Sequence, residues 1–246
     1  RQIREGNLEI AMPVGAELTA RLDSVCDVLY LLFNEGYFAS HGEAALRRDL
    51  CDEAVRLLGC VFSAGFETPD RWALAALFHL HLARFDARTG PDGELRDYAE
   101  IAASTYDAMH LRAADLALAR AMDAEALSAW HVEAAIASAH CGQGRDWAHI
   151  VALYDALLRL KPSPLVRLNR AVAMFRAGRR EEALEELGAL EKEEGLRDYA
   201  LLPATQARLH AEAGNSEDAT RAHERALACT MSGPAREFLE RRWNLH

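Results

Sequence analysis

Apolar residues recur at helical spacing along almost the whole chain. The first series contains Leu18, Leu22, Val25, Leu29 and Leu32, which follow one another at intervals of four and three residues. This spacing places them on one face of a helix. No segment shows the alternation of apolar and polar residues that is typical of a strand. Alanine and leucine, which favour helix, dominate the composition. The pattern predicts an all-α fold.

Start and turn signals divide the rest of the first half into further helices. The predicted helices are Gly42–Phe62, Pro69–Ala87 and Leu95–Ala121. The sequence Gly-Pro-Asp-Gly at residues 90–93 is typical of a turn and separates the last two. Because Pro13 disfavours helix at the residue before it, residues 1–14 are predicted to be a linker. Residues 15–125 then form one helical subdomain.

The second half of the chain contains an internal repeat of 36 residues. In each copy an alanine is followed seven residues later by a glycine, at Ala135 and Gly142, Ala171 and Gly178, and Ala207 and Gly214. Ala183 and Ala219 recur at the same interval, and Trp147 occupies their place in the first copy. Each copy reads as helix, glycine-containing turn and helix. This resembles the tetratricopeptide repeat, so residues 126–246 are predicted to form three degenerate copies that stack on one another and on the first subdomain.

The stretch "LYLLFNEGYFAS" at residues 29–40 is the most distinctive polar interruption of an apolar helix. Gly36 stands where a left-handed residue commonly ends a helix, so it is predicted to be the C-cap. Asn34 and Glu35 are then residues of the last turn. Because a carboxylate there faces the negative end of the helix dipole, Glu35 is expected to pair with another group.

Composition and charge narrow the function classes. No apolar run approaches the roughly 20 residues that a membrane span needs, and no signal peptide is visible. The net charge of −10 argues against direct binding to DNA and is consistent with either solubility or a basic protein partner. The cysteines are scattered and form no C-x-x-C pair, which favours free thiols in a reducing cytoplasm. They are Cys26, Cys51, Cys60, Cys141 and Cys229.

No motif predicts a catalytic residue, a cofactor or a metal site. His79 and His81 are the only close histidine pair, and residues i and i+2 of a helix do not share a face. Motifs for a zinc protease, a serine nucleophile or a phosphate loop are missing. Adjacent carboxylates such as Glu181 and Glu182 lie on a solvated helical face.

Two arginines, taken as exposed, bracket Asp86 just before the Gly-Pro-Asp-Gly turn. Arg84 and Arg88 allow two interpretations, a local salt-bridge cluster or a docking loop for a partner.

Several blocks of sequence together resemble one family. They are "LYLLFNEGYFAS", "RRDLCDEAVRL", "DARTGPDGEL", "DWAHIVALYDALLRLKPSPLVRLNRAVA", "LLPATQARL" and "PAREFLERR". Over residues 13–243 the chain resembles the C-terminal tetratricopeptide-like extension of bacterial extracytoplasmic-function sigma factors. The resemblance implies that residues 1–14 are the end of the promoter-recognition region (region 4) and the linker that follows it.

The resemblance also implies a regulatory role and its partners. In that family, sigma regions 2 and 4 lie upstream and bind core RNA polymerase and the promoter, and the extension controls or enables sigma activity. The chain begins with Arg1 rather than methionine, so an upstream segment is expected. The implied partners are the protein's own sigma regions 2 and 4 or core RNA polymerase, with DNA contacted only through the upstream regions. A cytoplasmic location follows.

One block departs from the family pattern. Where the family carries E-D-Q-D-R-S-x-W-D, this chain has "AEIAASTYD" at Ala99–Asp107, which keeps Ser104 and Asp107 and has Tyr106 in place of tryptophan. A polar contact made through that signature is expected to be altered or lost here.

These considerations predict an interaction groove between the first helices and the repeats. Its predicted lining is Tyr30, Asn34, Glu35, Tyr37, Arg84, Arg88 and Asn169. Two alternatives stay open. One is a free-standing repeat adaptor that binds a peptide or partner protein. The other is a small-molecule sensor or enzyme with a pocket at Asn34, Glu35 and Arg84.

Overall fold

The computed structural model describes residues 13–37, 46–88, 96, 101–142, 144–196, 198–229 and 233–243. Eleven α-helices run through these residues: α1 (Ala16–Tyr37), α2 (Arg48–Ser63), α3 (Pro69–Leu82), α4 (Ala108–Ala121), α5 (Ala129–Cys141), α6 (Trp147–Leu160), α7 (Pro164–Arg176), α8 (Arg180–Leu190), α9 (Leu201–Glu212), α10 (Ser216–Ala228) and α11 (Gly233–Trp243). The described part of the chain contains no strand, so the predicted all-α fold is confirmed. Most of the predicted linker (1–12) and of the Gly-Pro-Asp-Gly loop (89–95) lies outside the described residues.

None of the described helices combines the length and the apolarity that a membrane crossing requires.

The buried face of α1 is shifted from the predicted stripe. Cys26, Leu29 and Phe33 are buried, whereas Val25 is 42% exposed. The intervals from Cys26 to Phe33 are also three and four residues, so the buried face keeps Leu29 and includes Cys26 and Phe33 in place of Val25 and Leu32.

The helix predicted at Pro69 begins where expected and ends early. Thr68 caps α3, since its hydroxyl accepts a hydrogen bond from the backbone N–H of Arg71 at 3.3 Å. The helix ends at Leu82 rather than Ala87, and a 3₁₀ turn follows at Asp86–Arg88.

The prediction of one helix from Leu95 to Ala121 is wrong at its start. Residues 101–107 form an extended segment with a single 3₁₀ turn at Ala103–Thr105, and α4 begins at Ala108. The Asp107 carboxylate accepts hydrogen bonds from the backbone N–H groups of Met109 at 2.7 Å and His110 at 3.2 Å. This cap fixes the helix start.

The second half forms three helix pairs, α5 with α6, α7 with α8 and α9 with α10. In the second and third pairs the first helix is followed by Gly178 and Gly214, whose φ angles are +88° and +84°. The repeated alanines Ala171 and Ala207 are buried in these pairs. The predicted helix, glycine turn and helix are therefore confirmed for two copies.

The first pair departs from the repeat. Its turn spans residues 142–146, longer than the three residues of the later turns, and the positive φ belongs to Gly144 at +70° rather than to Gly142. Ala135 is only partly buried. Trp147 is the first residue of α6, so Ile150, fully buried, takes the place that the small alanines have in the later copies.

The hydrophobic cores do not separate at residue 125. The first core cluster draws on α1 to α4 and includes Ala134 and Ala137 of α5. The second joins α6 to α9, and a small third cluster of Val132, Ile136 and Leu157 connects α5 with α6. The first helix of the repeats therefore completes the N-terminal core.

The five cysteines are free thiols. Cys26 and Cys51 are fully buried, and burial raises the pKa of the Cys51 thiol to about 12.

Candidate interaction site

Residues 29–37 form the last turns of α1 and divide their side chains between two environments. The Phe33 ring is buried and stacks on Phe78 of α3, with 4.2 Å between ring centroids and 5° between planes. Tyr30 is partly buried and Asn34 is exposed. The apolar side thus attaches α1 to α3, and a polar side remains for other contacts.

The prediction that Gly36 is a left-handed C-cap is wrong. Gly36 lies within α1, which continues to Tyr37, and it is not among the glycines with positive φ. A Cβ at Gly36 would lie 2.7 Å from both the Arg47 carbonyl oxygen and Cys51 Sγ. The Arg47 N–H donates to the Gly36 carbonyl at 2.7 Å. Glycine is required here because the start of α2 packs directly on the α1 backbone.

A polar contact ties α1 to the repeats. The Tyr30 hydroxyl donates to the Glu133 carboxylate of α5 at 2.8 Å, and Lys161 Nζ, after α6, lies 3.1 Å from that carboxylate. The ammonium also lies 4.8 Å from the centroid of the Tyr30 ring. Burial and the neighbouring Glu133 charge raise the pKa of Tyr30, while a hydrogen bond with Asn34 acts in the opposite direction.

A second set of contacts lies at the end of α1. Arg88 Nη1 donates to the Tyr37 carbonyl at 2.5 Å, and its guanidinium lies 4.5 Å from the centroid of the Tyr37 ring. The same ring lies 4.5 Å from the His81 ring. Arg84 Nη2 is 3.1 Å from His81 Nδ1, and Arg84 Nε donates to the Leu80 carbonyl at 3.3 Å.

We call these residues the α1 joint. It consists of Tyr30, Tyr37, His81, Arg84, Arg88, Glu133 and Lys161.

His81 of the α1 joint and the nearby His140 are both neutral. Burial, followed by the charges of Arg84 and Arg88, holds the pKa of His81 well below its ordinary value. Burial, with the charges of Arg84 and Arg145, lowers the pKa of the nearby His140 to about 4. Both imidazoles are therefore uncharged at neutral pH.

Arg84 and Arg88 are not the exposed loop residues that the sequence suggested. Their exposed fractions are 5% and 7%. Each guanidinium donates a hydrogen bond to a backbone carbonyl. A buried charged group needs such an acceptor. Asp86, between them, pairs with Arg48 of α2 at 2.7 Å.

The remaining predicted groove residues lie apart. Glu35 is partly buried. The pKa of Arg47 is raised chiefly by its hydrogen bond with Asp49, and the negative charge of Glu35 acts in the same direction. Glu35 therefore does interact with another group, as expected from its place at the helix end. Asn169 is exposed on α7, whose neighbouring Leu168 belongs to the second core cluster.

Four residues that contact this region were not predicted from the sequence. Glu133 and Lys161 carry no local signal, because they are ordinary charged residues on repeat helices. His140 had no signal either, and His81 was noted only as half of a histidine pair. In the structure His79 contacts His110 instead, so the two histidines of that pair do face different neighbours. Within the described segments, no group of three or more His, Cys, Asp and Glu side chains is placed to hold a metal ion.

The altered signature segment has a structural role. The Asp107 N–H donates to the Ala83 carbonyl at 2.8 Å, and Tyr106 is buried, so the segment packs against the end of α3. Residues Ala99 and Glu100 lie outside the described residues.

Replacing Asp107 by alanine is expected to lower the melting temperature by about 2–4 °C through loss of the α4 cap. Because the two backbone N–H groups lower the Asp107 pKa from 3.8, its contribution is present above that pH and disappears as the pH falls through the lower folded value. Ser104→Ala, at the exposed residue that the signature also keeps, is the control. Equal melting temperatures for the two variants would contradict the capping role.

Two comparisons place the chain among other proteins. Residues 21–122, which run from α1 to the end of α4, match a family of unknown function (DUF6596). The chain is 31% identical over 245 residues to an uncharacterized protein of Rhizobium meliloti (strain 1021). That alignment covers 97% of this chain and 57% of the relative, so the chain spans little more than half of the relative's length.

Proposed function

We propose that this chain is the C-terminal control domain of a bacterial extracytoplasmic-function sigma factor. In this proposal it is a non-catalytic, cytoplasmic protein-interaction domain. Its partners are sigma regions 2 and 4 of the same polypeptide or core RNA polymerase, and DNA is contacted only through the upstream regions. The observation that carries the proposal is the hydrogen bond from Tyr30, in the block most typical of the resemblance (residues 29–37), to Glu133 on the first helix of the repeats.

The helical array suits protein recognition. Stacked helix pairs present extended surfaces on which partner segments bind. The net charge of −10 favours a partner with basic surface and gives long-range attraction toward it. Both features support an interaction domain.

The α1 joint is a place where partner binding could change how α1 packs on the repeats. The hydrogen bond from Tyr30 to Glu133 and the ion pair of Glu133 with Lys161 link α1, α5 and the residue after α6, and contacts of this kind contribute about 1 kcal/mol each. A partner shifts a conformational balance by its differential affinity for the two arrangements. A partner that binds α1 would therefore change how α1 packs on the repeats. A partner that binds the repeats would likewise change the position of α1.

The first test is the reading frame upstream of Arg1. The proposal expects roughly 150–200 codons that encode sigma regions 2 and 4, which matches the usual size of one or two small domains. A start codon within a few residues of Arg1 would contradict it. The free-standing adaptor that binds a peptide or partner protein would then be the better account.

Replacing Tyr30 by phenylalanine in the full-length protein is expected to lower promoter-specific transcription about fivefold, the effect of losing one hydrogen bond of about 1 kcal/mol. The measurement is transcription with purified core RNA polymerase. Tyr199→Phe removes a hydroxyl whose pKa is raised by burial alone and serves as the control. Wild-type transcription from the Tyr30→Phe protein would show that the α1 joint has no regulatory role.

A further inference from the structure

A cavity of about 320 Å³ lies between α2, α3 and α4, away from the α1 joint. One wall consists of the Phe62 and Trp72 rings, which stack with 4.2 Å between centroids and 27° between planes. The volume is at the lower end of the range for small-molecule sites, and aromatic walls are typical of such sites.

Small residues from three helices keep this cavity open. Gly59 of α2, Ala75 of α3, and Ala113 and Ala117 of α4 contribute to the lining. Gly59 lies in the interior of α2, and a Cβ there would meet no heavy atom within 4 Å. Because Gly59 lines the cavity and has room for a Cβ, a larger side chain at this position is expected to fill part of the cavity.

A chain of hydrogen bonds fixes the protonation of His79, which lines the cavity. Arg48 Nη2 lies 3.4 Å from His110 Nε2, and His110 Nδ1 lies 3.0 Å from His79 Nδ1. Because a guanidinium only donates, His110 Nε2 must accept, so the proton of neutral His110 is on Nδ1. That proton is donated to His79 Nδ1, which leaves the proton of neutral His79 on Nε2. In this tautomer His79, one of the residues that line the cavity, donates through its Nε2–H.

The His79 ring is neutral at physiological pH. Burial, and then the adjacent His110, lower the pKa of His79 to about 4. A neutral imidazole in a largely apolar wall donates to an acceptor without adding a buried charge.

A cation stands at the edge of the same cavity. The Arg120 guanidinium lies 4.4 Å from the centroid of the Trp72 ring. Its side chain is 58% exposed and pairs with Glu67 at 3.4 Å, a solvent-exposed contact that contributes little. The guanidinium can therefore exchange Glu67 for another carboxylate while it stays on the indole face.

We infer that this cavity binds a small, planar, largely apolar carboxylic acid. The ring system would lie against the Phe62 ring and the indole edge of Trp72, and the carboxylate would accept from His79 Nε2 and face Arg120. The ligand site is independent of the proposed role in transcription, because its contacts involve none of the residues of the α1 joint.

The test is calorimetric titration of the full chain with 2-naphthoate. A dissociation constant below about 1 mM is expected from the affinity per atom of ordinary ligands. The naphthalen-2-ylmethylammonium ion has the same rings but no acceptor, and is expected to bind at least about tenfold more weakly. No binding of 2-naphthoate at 1 mM, or equal binding of both ions, would overturn the inference.

Matched glycine variants place the binding in this cavity. Gly59→Leu is expected to weaken 2-naphthoate binding at least about tenfold by filling the space, since a leucine side chain occupies much of a small site. Gly188→Leu is the control, because Gly188 is also inside a helix, α8, with no heavy atom within 4 Å of its Cβ position. Equal loss in both variants would contradict the assignment.

Two further variants keep the test decisive if Gly59→Leu does not fold. Ala113→Leu fills the cavity from α4 and is expected to have the same effect on binding. His79→Phe keeps a ring and removes the donor, so it should reduce 2-naphthoate affinity about tenfold and leave the ammonium ion unaffected. Unchanged 2-naphthoate affinity in both variants would exclude this cavity as the site.

Discussion

Replacing Gly36 by valine is expected to lower the free energy of unfolding by about 2–3 kcal/mol, the usual cost of forcing extra atoms into a packed contact. The first added atom would lie 2.7 Å from the Arg47 carbonyl oxygen and 2.8 Å from the Cys51 backbone nitrogen. Neither can move without separating the start of α2 from α1. The hydrogen bond from Arg47 N–H to the Gly36 carbonyl would be strained as well.

The measurement is thermal unfolding followed by circular dichroism. A chain of this size should lose about 4–12 °C in melting temperature. Gly59→Ala, inside α2, is the control, because no heavy atom lies within 4 Å of the Cβ position at Gly59. This substitution is expected to raise the free energy of unfolding by roughly 0.5–1 kcal/mol. An unchanged melting temperature for Gly36→Val would contradict the close approach of the two helices.

Lowering the pH from 7 to 5 is expected to destabilise the domain by several kcal/mol. His79, His81 and His140 have folded pKa values below their ordinary 6.5, so they stay neutral in the fold and become protonated in the unfolded chain. The unfolded state then binds more protons, and stability falls as the pH decreases below 6.5. His79 and His140, whose folded pKa values are about 4, each contribute roughly 2 kcal/mol to the loss by pH 5, and His81 adds to it in the same direction.

Urea unfolding at pH 7, 6 and 5 measures this loss. Carboxylates of ordinary pKa are mostly ionised over this pH range. His140→Phe should reduce the difference between pH 7 and pH 5 by roughly 2 kcal/mol. His149→Gln, at an exposed histidine, should leave the difference unchanged. Equal stability at pH 7 and pH 5 would contradict the neutral buried histidines.

The parts of the fold that depend on local chemistry could be predicted from the sequence. The proline at the start of α3 and the glycines after α7 and α9 restrict or free their own backbone. Their residue type and position were therefore sufficient to predict where these helices begin and end. Gly36 shows the limit. A glycine needed for a close approach to α2 and a glycine needed for a left-handed cap have the same local sequence, and only the tertiary contact distinguishes them.

The candidate site was harder to predict for the same reason. Arg88 is buried because its acceptor is the carbonyl of Tyr37, 51 residues earlier in the chain. Tyr30 contacts Glu133 across 103 residues. No periodicity or motif encodes such pairs, whereas the block at residues 29–37 could still be identified as distinctive. The first repeat was misjudged at Trp147 because its longer turn moves the buried position to Ile150.

The central claim, that this chain controls a sigma factor, is tested most directly by reconstituted transcription. The full-length protein and a version that stops before Pro13 would each be combined with core RNA polymerase on promoter templates selected by the full-length protein. The account predicts promoter-specific transcripts with the full-length protein and a change of about fivefold or more when residues 13–246 are removed, as expected for a coupling of about 1–3 kcal/mol. No promoter-specific transcription by the full-length protein, or equal transcription by both versions, would contradict it.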